Sequence, residues 1–166
     1  DELFKKGTQF SKKFVIKMAT ALCNILKPIH NDNLIHRDIS PNNVMYSQIE
    51  DKFYLIDFGN SRLNKINTPK DTVFAGTPIF MAPEQGGVGT QSDNRTDIYA
   101  IGMLMKFMLT KNTTDKKSKI RGRLGKIIKK CTQSEMASRY KNVDKLKFKL
   151  SMIKVDDFLF PFKMYL

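Results

Sequence analysis

Three short runs in this 166-residue chain set acidic and amide side chains at fixed distances. The first, His36-Arg37-Asp38-Ile39-Ser40-Pro41-Asn42-Asn43, has an Asn five residues after an Asp. The second, Asp57-Phe58-Gly59, begins fourteen residues beyond Asn43. The third, Gly76-Thr77-Pro78-Ile79-Phe80-Met81-Ala82-Pro83-Glu84, ends twenty-five residues after Gly59. A carboxylate can take a proton from a reacting hydroxyl. Carboxylate and amide oxygens are the hard donors that hold divalent cations such as magnesium. Taken singly, each residue has a plain explanation: Asp38 could cap a turn, and His36 could be a satisfied core histidine. Their order and spacing together carry the functional reading.

The elements that must position these runs can be read from hydrophobic periodicity. Phe14, Val15, Met18, Leu22, Ile25, Leu26 and Ile29 recur at helical spacing, predicting an amphipathic helix over 11–30 with Ser11 as N-cap and Pro28 disturbing only its last turn. Residues 31–43 are turn-rich. Val44-Met45-Tyr46 and Phe53-Tyr54-Leu55-Ile56 predict a hairpin joined by the polar stretch 47–52. Residues 59–94 show no sustained period, and so long an irregular segment in a compact domain points to function or disorder. Residues 96–110 form a predicted helix that is apolar nearly all round, which places it mid-core. A basic amphipathic helix is expected in the second half of 116–130, a last helix over 142–153, and an apolar aromatic tail follows.

Composition bounds the rest. The chain is 41% hydrophobic and 27% charged, a globular composition rather than a disordered one. A chain of this size buries roughly 70% of its unfolded surface, enough for one core. The net charge of +13 comes mostly from Lys, and it is read chiefly as a solvated surface, so nucleic acid is not an expected partner. Two cysteines, Cys23 and Cys131, make no disulfide framework, and a reducing, cytoplasmic setting is expected. No uncharged apolar run reaches eighteen residues, so no membrane contact is expected from this segment.

In their order and spacing, these motifs resemble the catalytic loop, metal-binding triplet and activation-segment end of eukaryotic-type Ser/Thr protein kinases. The match is to the C-terminal lobe, a mainly α fold with a small β-hairpin, and it extends from the helix at 11–30 to the helix at 142–153. The resemblance implies one kinase C-lobe over 1–166, with catalytic loop 36–43, activation segment 57–84, central helix about 96–110 and apolar tail 154–166. It implies ATP and Mg²⁺ as cofactors and a protein substrate phosphorylated on Ser or Thr. Asp38 would accept the substrate hydroxyl proton, Asn43 would assist it, and Asn43 and Asp57 would hold metal. Ser40 and Thr77 fall at substrate-positioning places, with Thr77 bridging Asp38 and the substrate. His36 and Phe58 would stack in an internal apolar spine. Arg37 would face the activation segment, Gly59 would give the chain freedom to turn, and Asp97 would hold the catalytic-loop backbone. Glu84 would pair with Arg139. Thr72 and Thr68 are the candidate phosphosites, with Arg37 the waiting cation.

The sequence departs from the pattern in two places. Ser40 stands where these kinases usually carry a Lys that contacts the transferring phosphate. The 35 residues before His36 contain one glycine, Gly7, and neither a Gly-rich phosphate loop nor a Val-Ala-x-Lys strand. The N-terminal lobe is thus expected to lie outside this chain as a missing partner, and the chain alone is expected to be inactive. Two other readings stand beside this one. One is a non-catalytic pseudokinase module, against which the intact Asp38, Asn43 and Asp57 speak. The other is a small-molecule phosphotransferase with a kinase-like fold, whose pattern lacks the segment 76–84.

Overall fold

The computed structural model describes residues 10–63, 77–86, 91–110 and 120–153. Helix α1, Lys12–Asn31, starts where the Ser11 hydroxyl accepts the Phe14 backbone N–H at 3.1 Å, one of the orphan donors of a helix N-terminus. It runs through Pro28 without stopping, ending where the Asp32 N–H reaches the Pro28 carbonyl at 3.1 Å. Its buried face is Val15, Met18, Ala19, Leu22, Cys23 and Leu26. Fully burying one such large aliphatic side chain stabilises by about 1.5–3 kcal/mol.

Two small antiparallel pairs follow. Strands β1, Leu34–Ile35, and β4, Arg62–Leu63, pair in the register Leu34 with Leu63 and Ile35 with Arg62. Strands β2, Val44–Ser47, and β3, Lys52–Leu55, form the hairpin, with Val44 opposite Leu55 and Tyr46 opposite Phe53. Phe53 and Leu55 are buried while Lys52 and Tyr54 are exposed, the period-two alternation of a strand with one covered face. Ile56, expected in the strand, lies beyond its end and is exposed, although its N–H still reaches the Asn43 carbonyl at 2.9 Å. The β1–β4 pair was not expected. Two residues per strand are too few for periodicity to reveal.

Helix α2, Asn94–Thr110, starts two residues earlier than expected and sits in the middle of the core: Ile98, Ile101, Leu104 and Met105 are fully buried. It packs on α1 and on α3, Gly122–Cys131, while α4, Val143–Ser151, packs on α1 and α3. The Asn142 side chain caps α4 by accepting the Lys145 N–H at 3.0 Å. Helix α3 lies in the second half of the basic stretch, with Leu124, Ile127, Ile128 and Cys131 inward and Lys126, Lys129 and Lys130 exposed. Short 3₁₀ turns occupy Pro83–Gly86 and Met136–Ser138. The described residues are thus mostly helical with two small sheets. Among them no helix is long and apolar enough to cross a membrane. Thr68, Thr72 and Gly76 lie outside the described residues, as does the tail 154–166.

Candidate active site

The residues of the 36–43 loop are hung from the start of α2. Asp97 has no exposed surface, and its carboxylate accepts three hydrogen bonds: the Arg37 N–H at 2.8 Å on Oδ1, and the His36 N–H at 3.0 Å and His30 Nε2 at 2.8 Å on Oδ2. A buried carboxylate is tolerable only when its lone pairs are met in this way. The two backbone bonds also hold Arg37 at φ 69°, a left-handed conformation that a non-glycine residue resists. The turn at Arg37 then aims the next side chain, Asp38.

Two further contacts fix the loop from its flanks. The His36 ring lies edge-on to Phe58 at 4.7 Å between centroids, accepts the Asp38 N–H on Nδ1 at 3.3 Å and donates from Nε2 to the Ile56 carbonyl at 3.3 Å. Those two bonds require the proton on Nε2. His36 is fully buried, but Phe58 is 43% exposed, so one side of the pair opens outward. On the opposite flank, Gln85 uses both ends of its buried amide: Nε2 donates to the Arg37 carbonyl at 2.8 Å, and Oε1 accepts the Ala82 N–H at 2.9 Å. The Arg37 guanidinium is pressed below its ordinary value by burial and by neighbouring Arg62, with Asp97 opposing.

Asp38 itself is clasped by the segment that carries Thr77. Its Oδ1 accepts the Thr77 N–H at 2.8 Å and the Thr77 hydroxyl at 2.9 Å, while Oδ2 accepts Asn60 Nδ2 at 3.2 Å. Thr77 opens a tight turn, its carbonyl accepting the Phe80 N–H at 2.9 Å, and Phe80 anchors that turn on α2 through an edge contact with Phe107 at 5.7 Å.

Asn43 and Asp57 stand where a divalent cation could be held. Asn43 donates through Nδ2 to the Asp38 carbonyl at 2.9 Å, which leaves its amide oxygen as the end available for a ligand. Asp57, exposed and at φ 62°, accepts the Gly59 N–H on Oδ1 at 3.0 Å, and its other oxygen takes no bond from any described residue. A Cβ at Gly59 would stand 3.0 Å from that same Oδ1, so the tight return of the chain suits glycine. Among the described residues no cluster of three His, Cys, Asp or Glu side chains could cage a metal. One carboxylate and one amide oxygen instead suit Mg²⁺, which keeps much of its shell as water and phosphate oxygen.

Ser40 is placed differently from the open edge of this site. It has no exposed surface, and its Oγ has no hydrogen-bond partner among the described residues. Glu84 and Arg139 lie below the loop: Oε1 and Oε2 of Glu84 accept from the two terminal nitrogens of Arg139, both at 2.7 Å, and Glu84 Oε1 also accepts the Thr96 hydroxyl at 2.8 Å. Arg139 donates further to the carbonyls of Gln133, Ser134 and Arg95 and covers the Tyr99 ring at 4.8 Å. Sequence reasoning missed Asn60, Gln85, Thr96 and the bond His30 makes to Asp97. Asn60 and Gln85 each directly follow a motif residue, Gly59 and Glu84, and that adjacency was the available signal.

The protein kinase domain family model matches residues 1–157. The R436 protein of Acanthamoeba polyphaga mimivirus, whose name places it with the serine/threonine-protein kinases, is 33% identical over 145 residues, 85% of this chain and 51% of its own length. Serine/threonine-protein kinase B of Synechocystis is 28% identical over 179 residues, covering 94% of this chain and 31% of that protein. Serine/threonine-protein kinase D of the same organism is 33% identical over 147 residues, 75% and 28% of the two chains. The chain spans about half the length of the first of these relatives and about a third of the other two.

Proposed function

On the premise that this chain belongs to the protein kinase domain family, we propose that it is the catalytic-loop lobe of a Ser/Thr protein kinase, transferring the terminal phosphoryl group of ATP to a protein hydroxyl. The observation that carries the reading is the double hydrogen bond from Thr77 to Asp38, which ties the segment that would seat a substrate to the carboxylate that would take its proton. Phosphoryl transfer asks the protein for positioning and charge neutralisation rather than covalent chemistry. The described residues are suited to both tasks. Asp97 and Gln85 hold the loop backbone. Asp38, held on both oxygens, is aimed to receive the proton of a serine or threonine hydroxyl. Asn43 and Asp57 would hold Mg²⁺, which when bound with ATP neutralises phosphate charge. His36 and Phe58 keep the two halves of the site in register.

The adenine and remaining phosphate contacts would come from protein outside these 166 residues, since the residues before His36 offer no Gly-rich loop or Lys strand. The 166-residue chain alone would therefore show negligible turnover, because preorganisation in a water-excluded site is where such rate enhancement arises. The test is labelled phosphate transfer from ATP to a generic basic protein by the full-length protein, with and without Mg²⁺. Metal-dependent labelling of Ser or Thr supports the reading. ATP binding without transfer would favour a non-catalytic module.

A further inference from the structure

We propose that Asn60 is a positioning residue for Asp38, supplying the second grip on its carboxylate from the turn that also carries the metal-site residue Asp57. Thr77 gives both of its bonds to one oxygen, Oδ1. A carboxylate held by one oxygen can still swing about that oxygen. The Asn60 amide, 3.2 Å from Oδ2, removes that freedom and fixes the plane of the group. Ser40, where related kinases usually carry a cation, makes no bond to Asp38: its Oγ is buried with no hydrogen-bond partner among the described residues. Asn60 is a neutral donor, so it aims Asp38 without neutralising it. One lone pair of Oδ2 remains for a substrate hydroxyl.

The placement of Asn60 is itself built. The Ser61 N–H bonds the Phe58 carbonyl at 3.0 Å, closing a turn with Gly59 and Asn60 at its centre. Asp57 Oδ1 caps the Gly59 N–H of the same turn at 3.0 Å. The residue that would hold metal and the residue that orients Asp38 are therefore the first and last of four consecutive positions, 57–60, tied by these two bonds, and a shift of one moves the other.

This inference rests on the proposed phosphoryl transfer, and its test separates the two. The full-length protein is compared with Asn60→Leu, which keeps the side-chain size and removes the donor, and with Asn60→Asp, which places a second carboxylate against Oδ2. Turnover, KM for ATP and thermal midpoint are measured for each. Asn60→Leu should lower kcat about tenfold, the scale of one lost orienting hydrogen bond, with KM for ATP and the midpoint unchanged. Asn60→Asp should lower kcat further, and Asn60→Gln, which keeps an amide donor, should recover part of the loss. Wild-type kcat in both Asn60→Leu and Asn60→Asp would overturn the role of Asn60 while leaving the kinase reading intact. A fall in midpoint that tracks the fall in kcat would make Asn60 a structural residue and also overturn it. An inactive wild-type protein would refute the proposed activity, and this inference with it.

Discussion

Glu84 and Arg139, 55 residues apart in the chain, meet in a bidentate ion pair with both nitrogen-to-oxygen distances at 2.7 Å. Both side chains are buried, and three backbone carbonyls and the Thr96 hydroxyl satisfy what the pair leaves over. The pair joins the end of the 77–86 segment to the turn between α3 and α4.

Breaking that pair from one side leaves a buried charge without compensation. Arg139→Met should destabilise the protein by about 3–5 kcal/mol. The double variant Glu84→Gln/Arg139→Met should recover part of that loss, because no buried charge is then left alone. Urea denaturation of the two variants checks it, and equal stabilities for single and double variants would count against a true pair.

Removing the anchor under the catalytic loop should be as damaging. Asp97→Ala strips the acceptor from two backbone N–H groups and from His30, and each buried donor left unmet costs about 1–3 kcal/mol. With Arg37 released from φ 69°, Asp38 loses its aim, so turnover should vanish even at temperatures where the variant stays folded. Circular dichroism beside the transfer assay separates the two effects.

A packing prediction comes from Gly102. A Cβ there would stand 2.5 Å from Cβ of Cys131 and 2.9 Å from a methyl of Thr132, so at this point the end of α3 approaches α2 as closely as it does because the position lacks a side chain. Gly102→Ala should cost about 1–3 kcal/mol as overpacking, despite the better helix propensity of alanine. A thermal midpoint at or above that of the wild type would contradict it.

Much of this frame is legible in the sequence, and the reasons differ by element. The α1 and α2 patterns are long enough for periodicity to show. The α2 pattern is nearly all apolar because the helix is covered on most sides, with Ile98, Ile101, Leu104 and Met105 fully buried. Asp38, Asn43 and Asp57 stand out in the sequence through the motifs that carry them, with the β2–β3 hairpin setting the separation between the 36–43 loop and Asp57. The β1–β4 pair, Gln85 and Asn60 are not, because each works through contacts made across the fold. Sequence spacing does not encode a contact of that kind. Nor does it show that Ser40 is buried with no partner for its hydroxyl among the described residues. Helix α3 starts at Gly122, in the second half of the basic stretch where the sequence placed it.

The thiols give a pH prediction. Burial pushes Cys23 from its ordinary 9.0 up to about 12, and burial raises Cys131 as well. A group whose proton is held more tightly in the folded state adds stability below its unfolded value and loses it as pH rises through the folded one. Stability should therefore fall progressively as pH climbs above 9.0 toward 12, with half-buried Tyr99 and buried Tyr140, also raised, acting in the same direction. At pH 8 neither cysteine should react with iodoacetamide until the protein unfolds, because the thiolate is the reactive form. Labelling of the native protein at the rate of a free thiol would contradict this.

The central claim is the proposal that Asp38, gripped by Thr77 and bonded through its carbonyl to Asn43, is the carboxylate of a phosphoryl-transfer site. Transfer of labelled phosphate from ATP by the full-length protein, compared with its Asp38→Asn variant, tests it most directly. The account predicts metal-dependent labelling of a protein serine or threonine by the wild type, and loss of at least about a hundredfold in kcat for Asp38→Asn, the scale of a general base, with the fold and ATP binding retained. Equal turnover by the two proteins, or no transfer by a wild-type protein that binds ATP and magnesium, would contradict it.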